Sequence, residues 1–266
     1  YFGTRAGRLP LLAEVKSSSH DELPELEGDT RYYWRVDEVW ADGTVVTGDV
    51  WSFTTGSLVS LWKLDEAGGN IAKDSAGNND GTLVGDPQWQ PSAGKIGGAL
   101  EFDGDGDFVK IGSESDFDMT GQITISAWIK VNQFDKEWQA VIAKGDSAWR
   151  LQRNQNEDNL EFACTGLKIP SGAPWGNLYG KRSVNDGQWH HIAGIYDGSK
   201  MYLIIDGELD SSQPASGRIN TNNEPVYIGE NSENTGRFWN GLIDDVRIYN
   251  YALSESEITA LNDEGK

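Results

Sequence analysis

The stretch GLIDDVRIYNYALSESEITAL, Gly241 to Leu261, decides the fold. Ile243 to Tyr249 is rich in β-branched and aromatic residues and reads as a closing strand, and the residues after Asn250 carry the polar-apolar spacing of one or two helical turns. Ser254 and Glu257 stand three apart, the spacing of a capping box, which lets Leu253, Ile258 and Leu261 fold back on the domain. The strand opens on Asp244-Asp245, and that needs a cause: buried carboxylates without partners are costly, so they find a cation or a set of donors.

Working outward, the same alternation recurs. Ile123, Ile125, Ala127, Ile129 and Val131 define a long strand with one core face. Leu58–Leu64, Ala99–Phe102, Phe108–Ile111, Ala140–Ala143, Trp149–Arg153, Leu160–Ala163, Trp189–Tyr196, Met201–Ile205 and Val226–Ile228 are further strands. Trp89 is expected in a loop between Pro87 and Pro91, and Lys168–Ser183 is expected to be a long polar insertion. With 32 glycines in 266 residues, and turn formers such as Asp206-Gly207, these strands predict an all-β fold, a two-sheet antiparallel sandwich. Ahead of it, residues 1 to about 56 read as a small β unit: a strand at Leu23–Leu26, a turn at Gly28-Asp29, a strand over Tyr32–Val39 presenting Tyr32, Trp34 and Val36 on one face, and a last strand at Val50–Thr54.

The formal charge of -20 argues against nucleic acid, which needs a basic patch, and leaves neutral glycans and divalent cations as partners. Cys164 stands alone, so there is no internal disulfide and no paired-cysteine zinc signal. No apolar run approaches membrane-spanning length, so membrane insertion is not expected.

Two resemblances sharpen this reading. LEGDTRYYWRVDEVWADGTVVTGDVWSFTTG resembles the last strands and linker of a bacterial fibronectin type III-like domain, whose first strands have no counterpart, so the chain is expected to be a fragment of a longer multidomain protein. The alternative is that this region is an integral extension of the next domain. LVSLWKLDE, KDSAGNNDGTL, GALEFDGDGDFVKI, ITISAWIKV, DGQWHHIAGIYDGSKMYLIIDGEL, PVYIGE and GLIDDVRIYNYALSESEI match, in order, the segments of a bacterial laminin G-like, concanavalin A-like jelly roll. The expected organisation is a partial fibronectin type III-like domain at 1–56 and a laminin G-like jelly-roll domain at 57–266. Such folds host many functions, so the resemblance speaks to architecture first.

It also implies a structural calcium (Ca2+), an ion that takes six to eight hard oxygens. Asp244 matches the family's aspartate at the start of the closing strand and Asp74 a second family position; Asn79, Asp103 and Asp245 complete the candidate set. The alternative is that Asp74 and Asp244 only accept turn amides. Asp103, Asp105, Asp107 and Glu114 share the acidic spacing of an EF-hand loop, but Phe108 occupies the position that must be glycine and no helices flank it. His190-His191 point to opposite faces of a strand and cannot share a metal.

Sugar recognition uses aromatic faces and nearby polar side chains. Trp34, Trp62, Trp128 and Trp189 lie in strand patterns and are assigned to the core. Trp138, Trp149, Trp175, Tyr179 and Trp239 lie nearer loops or polar segments and are the candidate platforms, with Arg150, Arg153, Asn177, Arg237 and Asn240 as candidate hydrogen-bonding residues. No ExDxxE, GxSxG or HExxH pattern occurs, so no catalytic residue is assigned. The reading is therefore a noncatalytic carbohydrate-binding or adhesion module of an extracellular or cell-surface protein, working beside other domains of the same polypeptide. A structural spacer or protein-interaction module, and a jelly-roll hydrolase or lyase, are the alternatives.

Overall fold

The structure is a computed structural model that describes residues 1–16, 20, 23–24, 26–28 and 30–266. The chain divides into two compact units, Tyr1–Ser57 and Leu58–Lys266. The strand expected at Leu23–Leu26 and the turn at Gly28-Asp29 include Glu25 and Asp29, which lie outside the described residues.

In the first unit, Phe2–Gly3, Arg31–Trp34 and Trp51–Thr54 form a three-stranded antiparallel sheet, and Glu38–Val39 pairs with Val45–Val46 in a separate ribbon. The expected Tyr32–Val39 strand is broken in two. Arg35 and Asp37 form an ion pair at 2.7 Å and Asp37 also accepts the amide of Gly48, which bends the chain out of the sheet; Val36 is left 63% exposed instead of sharing a face with Tyr32. Tyr32 packs between Phe2 and Phe53, with ring centroids 5.1 and 5.8 Å away.

The second unit is a sandwich of two eight-stranded antiparallel sheets. One runs Glu208–Pro214, Lys200–Ile205, Trp189–Tyr196, Ile123–Val131, Asn240–Tyr249, Ala99–Asp103, Gln88–Gln90, with Leu58–Trp62 also pairing to Asn240–Tyr249. The other runs Asn177–Tyr179, Leu160–Cys164, Trp149–Arg153, Ala140–Ala143, Val226–Ile228, Phe108–Ile111, Gly81–Val84, Ile71–Ala72. Trp89 is therefore in a strand rather than a loop: neither flanking proline falls inside Gln88–Gln90, so its residues are free to pair with Ala99–Glu101. Likewise Asn177–Tyr179, inside the expected polar insertion, closes one edge of the second sheet.

The core lies between the sheets and is built around Trp62, Phe102, Trp149, Phe162, Tyr196 and Trp239, all fully buried. Gly194 permits close approach of the sheets, because a Cβ there would run into the Phe162 ring. The closing strand is central to its sheet. Asp206 and Gly207, both at positive φ (54° and 77°), make the tight turn between Lys200–Ile205 and Glu208–Pro214. Helix Glu255–Glu264 begins with the capping box of Ser254 and Glu257, and Ile258 and Leu261 pack with Leu253, Ala193, Ile195, Ile204 and Tyr249 on the outer side of the first sheet. That cover is why Ile123–Val131 is buried on both faces rather than on one. Trp34 is 39% exposed, whereas Trp62 and Trp128 are core as expected. Among the described residues no helix is long and apolar enough to cross a membrane.

Candidate functional site

Successive residues of a strand face opposite ways. In Trp149–Arg153 this sends Trp149 and Leu151 into the core and leaves Arg150 and Gln152 on the outer face of the second sheet. The neighbouring strands continue that face: Gln152 lies opposite Glu161, Arg150 opposite Ala163, Glu161 opposite Tyr179 and Ala163 opposite Asn177. Four polar side chains thus converge, and Glu161 is at their centre.

Glu161 has no exposed surface. Its Oε1 accepts from Asn177 Nδ2 at 2.7 Å, Arg150 Nη2 at 3.4 Å and Gln152 Nε2 at 3.5 Å, while its buried Oε2 has no hydrogen-bond partner. Burial raises the pKa of this carboxyl, and the charge of Arg150 and the hydrogen bond from Asn177 oppose the rise. Arg150 also donates to the backbone oxygen of Asp146 at 3.0 Å, and its Nε lies 3.4 Å from Asp146 Oδ1. Arg237 grips the same aspartate with both terminal nitrogens, at 2.8 and 3.0 Å, and reaches Gln152 Oε1 at 3.2 Å. Asn231 and Asn234 donate to Asp146 as well.

Aromatic residues rim this cluster. Tyr179 and Trp175 are each 49% exposed, and Trp175 adjoins the cluster through its carbonyl, which accepts from Thr165 Oγ1 at 3.4 Å. Trp138 sits at φ +59°, an unusual conformation for a bulky side chain, with the Arg237 guanidinium 5.9 Å from its ring centroid.

The structure therefore brings together Arg150, Asn177, Arg237, Trp138 and Tyr179, with Trp175 beside them. Three other candidates are buried. Trp149 is fully buried, with its indole N–H bonded to the carbonyl of Phe117 at 3.0 Å, and Trp239 is fully buried edge-on to Phe134; neither offers a face to a sugar. Arg153 is buried and spends its donors on the carbonyls of Lys136, Asn156 and Glu157, holding loops together. Asn240 donates to Asp135 at 3.1 Å, away from Glu161. Glu161, Gln152 and Asp146 are not among the sequence candidates; for the first two, WRLQR and LEFAC carry a legible signal, polar residues at positions alternating with apolar ones.

The calcium candidates occupy separate environments. Asp74 accepts from the amides of Leu61, Ala76 and Asn79 and from Ser60 Oγ, at 2.9 to 3.0 Å; burial acts to raise its pKa, but these donors outweigh it and hold the carboxyl below its usual value. Asn79 donates its own side chain to Ser60 Oγ at 3.0 Å. Asp103 is exposed and accepts the amide of Asp105 in a turn. Asp245, at φ +49° beside a register shift in the pairing with Ile123–Val131, is ion-paired with Arg247. Asp244 accepts the amides of Lys95 and Ile96 at 2.7 and 2.8 Å through Oδ2, while its buried Oδ1 lacks a hydrogen-bond partner; burial pushes its pKa up to about 7, with the charge of Asp245 adding to the rise. The donors to Asp74 and to Asp244 come from different segments of the chain. Among the described residues no group of three or more His, Cys, Asp or Glu is placed to hold a metal ion.

The chain belongs to the concanavalin A-like lectin/glucanases superfamily, whose family profile matches residues 103–259. Among curated proteins it is 25% identical over 163 residues to an alpha-L-arabinofuranosidase of Bifidobacterium longum, a match covering 57% of this chain and 15% of the relative. Its fold is shared with domain 4 of AbnA, a GH43 extracellular arabinanase from Geobacillus stearothermophilus, solved with arabinotriose, at a TM-score of 0.61 and 23% identity over 78% of this chain and 98% of that one. It is also shared with the binding domain of Paraclostridial Mosquitocidal Protein 1, at a TM-score of 0.62 and 18% identity over 77% of this chain and 51% of that one. These likenesses, at 23% and 18% identity, show a shared fold.

Proposed function

We propose that the second unit is a carbohydrate-binding module for arabinose-containing polysaccharides, and that the face around Glu161 is its site. The observation that carries this reading is the buried Arg150–Glu161–Asn177 cluster lying beside the half-exposed ring of Tyr179, with the half-exposed Trp175 joined to it through its carbonyl. Glycan sites pair apolar ring faces with a few fixed polar groups, and here those groups are locked by one another before any ligand arrives. Arabinose is the sugar of this reading because the sequence comparison leads to an alpha-L-arabinofuranosidase and the fold comparison to an arabinanase domain solved with arabinotriose.

The module acts outside the cell, tethering neighbouring domains to polysaccharide and so raising their effective concentration there. The first unit is read as the end of a fibronectin type III-like domain, supported by the antiparallel pairing of Arg31–Trp34 with Trp51–Thr54. Calcium has no part in this reading of the site. Asp244, with its free buried oxygen, is the residue at which a structural ion is to be tested.

The test is co-sedimentation and titration calorimetry with linear arabinan, beside xylan, β-glucan and mannan. Saturable binding to arabinan, weakened by Tyr179→Ala in a protein that melts like the parent, is expected. No binding to any of the four polymers overturns the proposal.

A further inference from the structure

The site holds its charges in unequal balance. Asp146, Glu161 and Glu230 supply carboxylates, and Arg150 and Arg237 supply the cations. Both guanidiniums are already engaged: Arg237 is bidentate on Asp146, and Arg150 lies between Asp146 and Glu161. Glu230 is buried and accepts backbone amides of Asn231, Gly236 and Arg237 at 2.7 to 2.9 Å. Glu161 keeps an oxygen with no partner. No unclaimed cation is left among these groups to meet an incoming anion.

Resting on the glycan reading above, we infer that this site selects neutral glycans and rejects chains carrying uronic acids. A sugar hydroxyl both donates and accepts, so it can work against carboxylates and amides alike; an ionised carboxylate only accepts. A uronate at this face adds a negative charge beside Glu161 and Asp146 where water is largely excluded, and the repulsion there is stronger than in bulk solvent. To gain an ion pair it must take Arg150 or Arg237 from a partner the fold already supplies. The chain's net charge of -20 adds a longer-range repulsion that salt screens within about 10 Å at 0.1 M. The sequence charge alone predicts that second component; the paired arginines add the local one.

The experiment compares linear arabinan with two derivatives of equal substitution, carboxymethylated and hydroxyethylated, the second being the neutral steric control. Binding is titrated at low and high NaCl. The carboxymethylated polymer is expected to bind at least about tenfold more weakly than the hydroxyethylated one, a difference of ~1.4 kcal/mol, with part of the gap persisting in high salt. Glu161→Gln frees Arg150 from one carboxylate and is expected to narrow that residual gap; Asp146→Asn, which releases Arg237, serves the same purpose if the first variant does not fold. Equal binding of the two derivatives overturns the selectivity and leaves the glycan site standing. A gap that both folded variants leave unchanged, or that vanishes entirely in high salt, overturns the local cause. Failure of unmodified arabinan to bind removes the glycan reading, and this inference with it.

Discussion

Asn177 donates to Glu161 Oε1 across 2.7 Å, joining the edge strand of the second sheet to a carboxylate with no exposed surface. This bond ties stability to the site. Asn177→Ala leaves Glu161 with only the longer bonds from Arg150 and Gln152, and loss of a donor to a buried charged acceptor costs about 1–3 kcal/mol. Denaturant unfolding is expected to show that loss together with weaker arabinan binding. Tyr179→Ala removes a half-exposed ring from the same strand and is expected to weaken binding with little change in the unfolding midpoint. If Asn177→Ala leaves stability intact, Glu161 has other support.

The two kinds of tryptophan separate in the same way. Trp149 is fully buried and hydrogen-bonded to Phe117, so Trp149→Ala is expected to destabilise the domain by about 3–5 kcal/mol. Trp175 is half exposed, so Trp175→Ala is expected to melt within a degree or two of the parent while binding arabinan several-fold less tightly, a typical outcome for surface substitutions and exposed stacking residues. Parallel thermal melts and calorimetric titrations check both. Unaltered arabinan affinity in Trp175→Ala places the ligand elsewhere on the face.

Much of the sandwich was legible because its strands obey a period of two over runs long enough to show it. Ile123–Val131, Trp149–Arg153 and Trp189–Tyr196 lie where the sequence places them. Short strands such as Ile71–Ala72, Gln88–Gln90 and Asn177–Tyr179 carry too few residues for alternation to register and exist through the partners they meet. The polar cluster around Glu161 is harder to read from the sequence for a related reason. Arg150, Asn177 and Arg237 stand out in the sequence as polar groups near aromatics, whereas Glu161 is one of 42 acidic residues and its place in the cluster depends on a cross-strand register. Proximity to a loop in sequence says little about burial, and Trp149 and Trp239 are both fully buried.

His190 and His191 are neighbours with opposite pH behaviour. His190 bonds Asp206 at 2.9 Å and Asp186 at 3.0 Å, and these partners outweigh burial and raise its pKa above 6.5. Its contribution to stability is complete below the unfolded value near 6.5 and is lost as pH rises through the higher folded value. For His191, burial, reinforced by the charge of Arg247, lowers the pKa to about 4, so protonation favours the unfolded chain and stability falls as pH drops from 6.5 toward 4. Stability measured by denaturant between pH 4 and 9 is expected to lose its fall just above pH 6.5 in His190→Gln, and to lose one component of its acid-side fall in His191→Gln. Parallel profiles for parent and His190→Gln refute the assignment to His190.

Asp244 titrates in the same range with the reverse sign to His191, and this makes it the sharpest test of calcium. Burial raises its folded pKa to about 7 from 3.8, so its contribution is complete below 3.8 and is lost as pH rises to about 7. A neutral isostere avoids that loss while its remaining oxygen can still accept from Lys95 and Ile96. Asp244→Asn is therefore expected to be more stable than the parent at pH 8 in EDTA, with the gap closing toward pH 4. Thermal melts with and without millimolar calcium complete the measurement. If calcium stabilises the parent and Asp244→Asn abolishes that gain, the carboxylate serves as a ligand, its pKa in the bound form lies low, and the expected advantage of asparagine reverses whenever the ion is present.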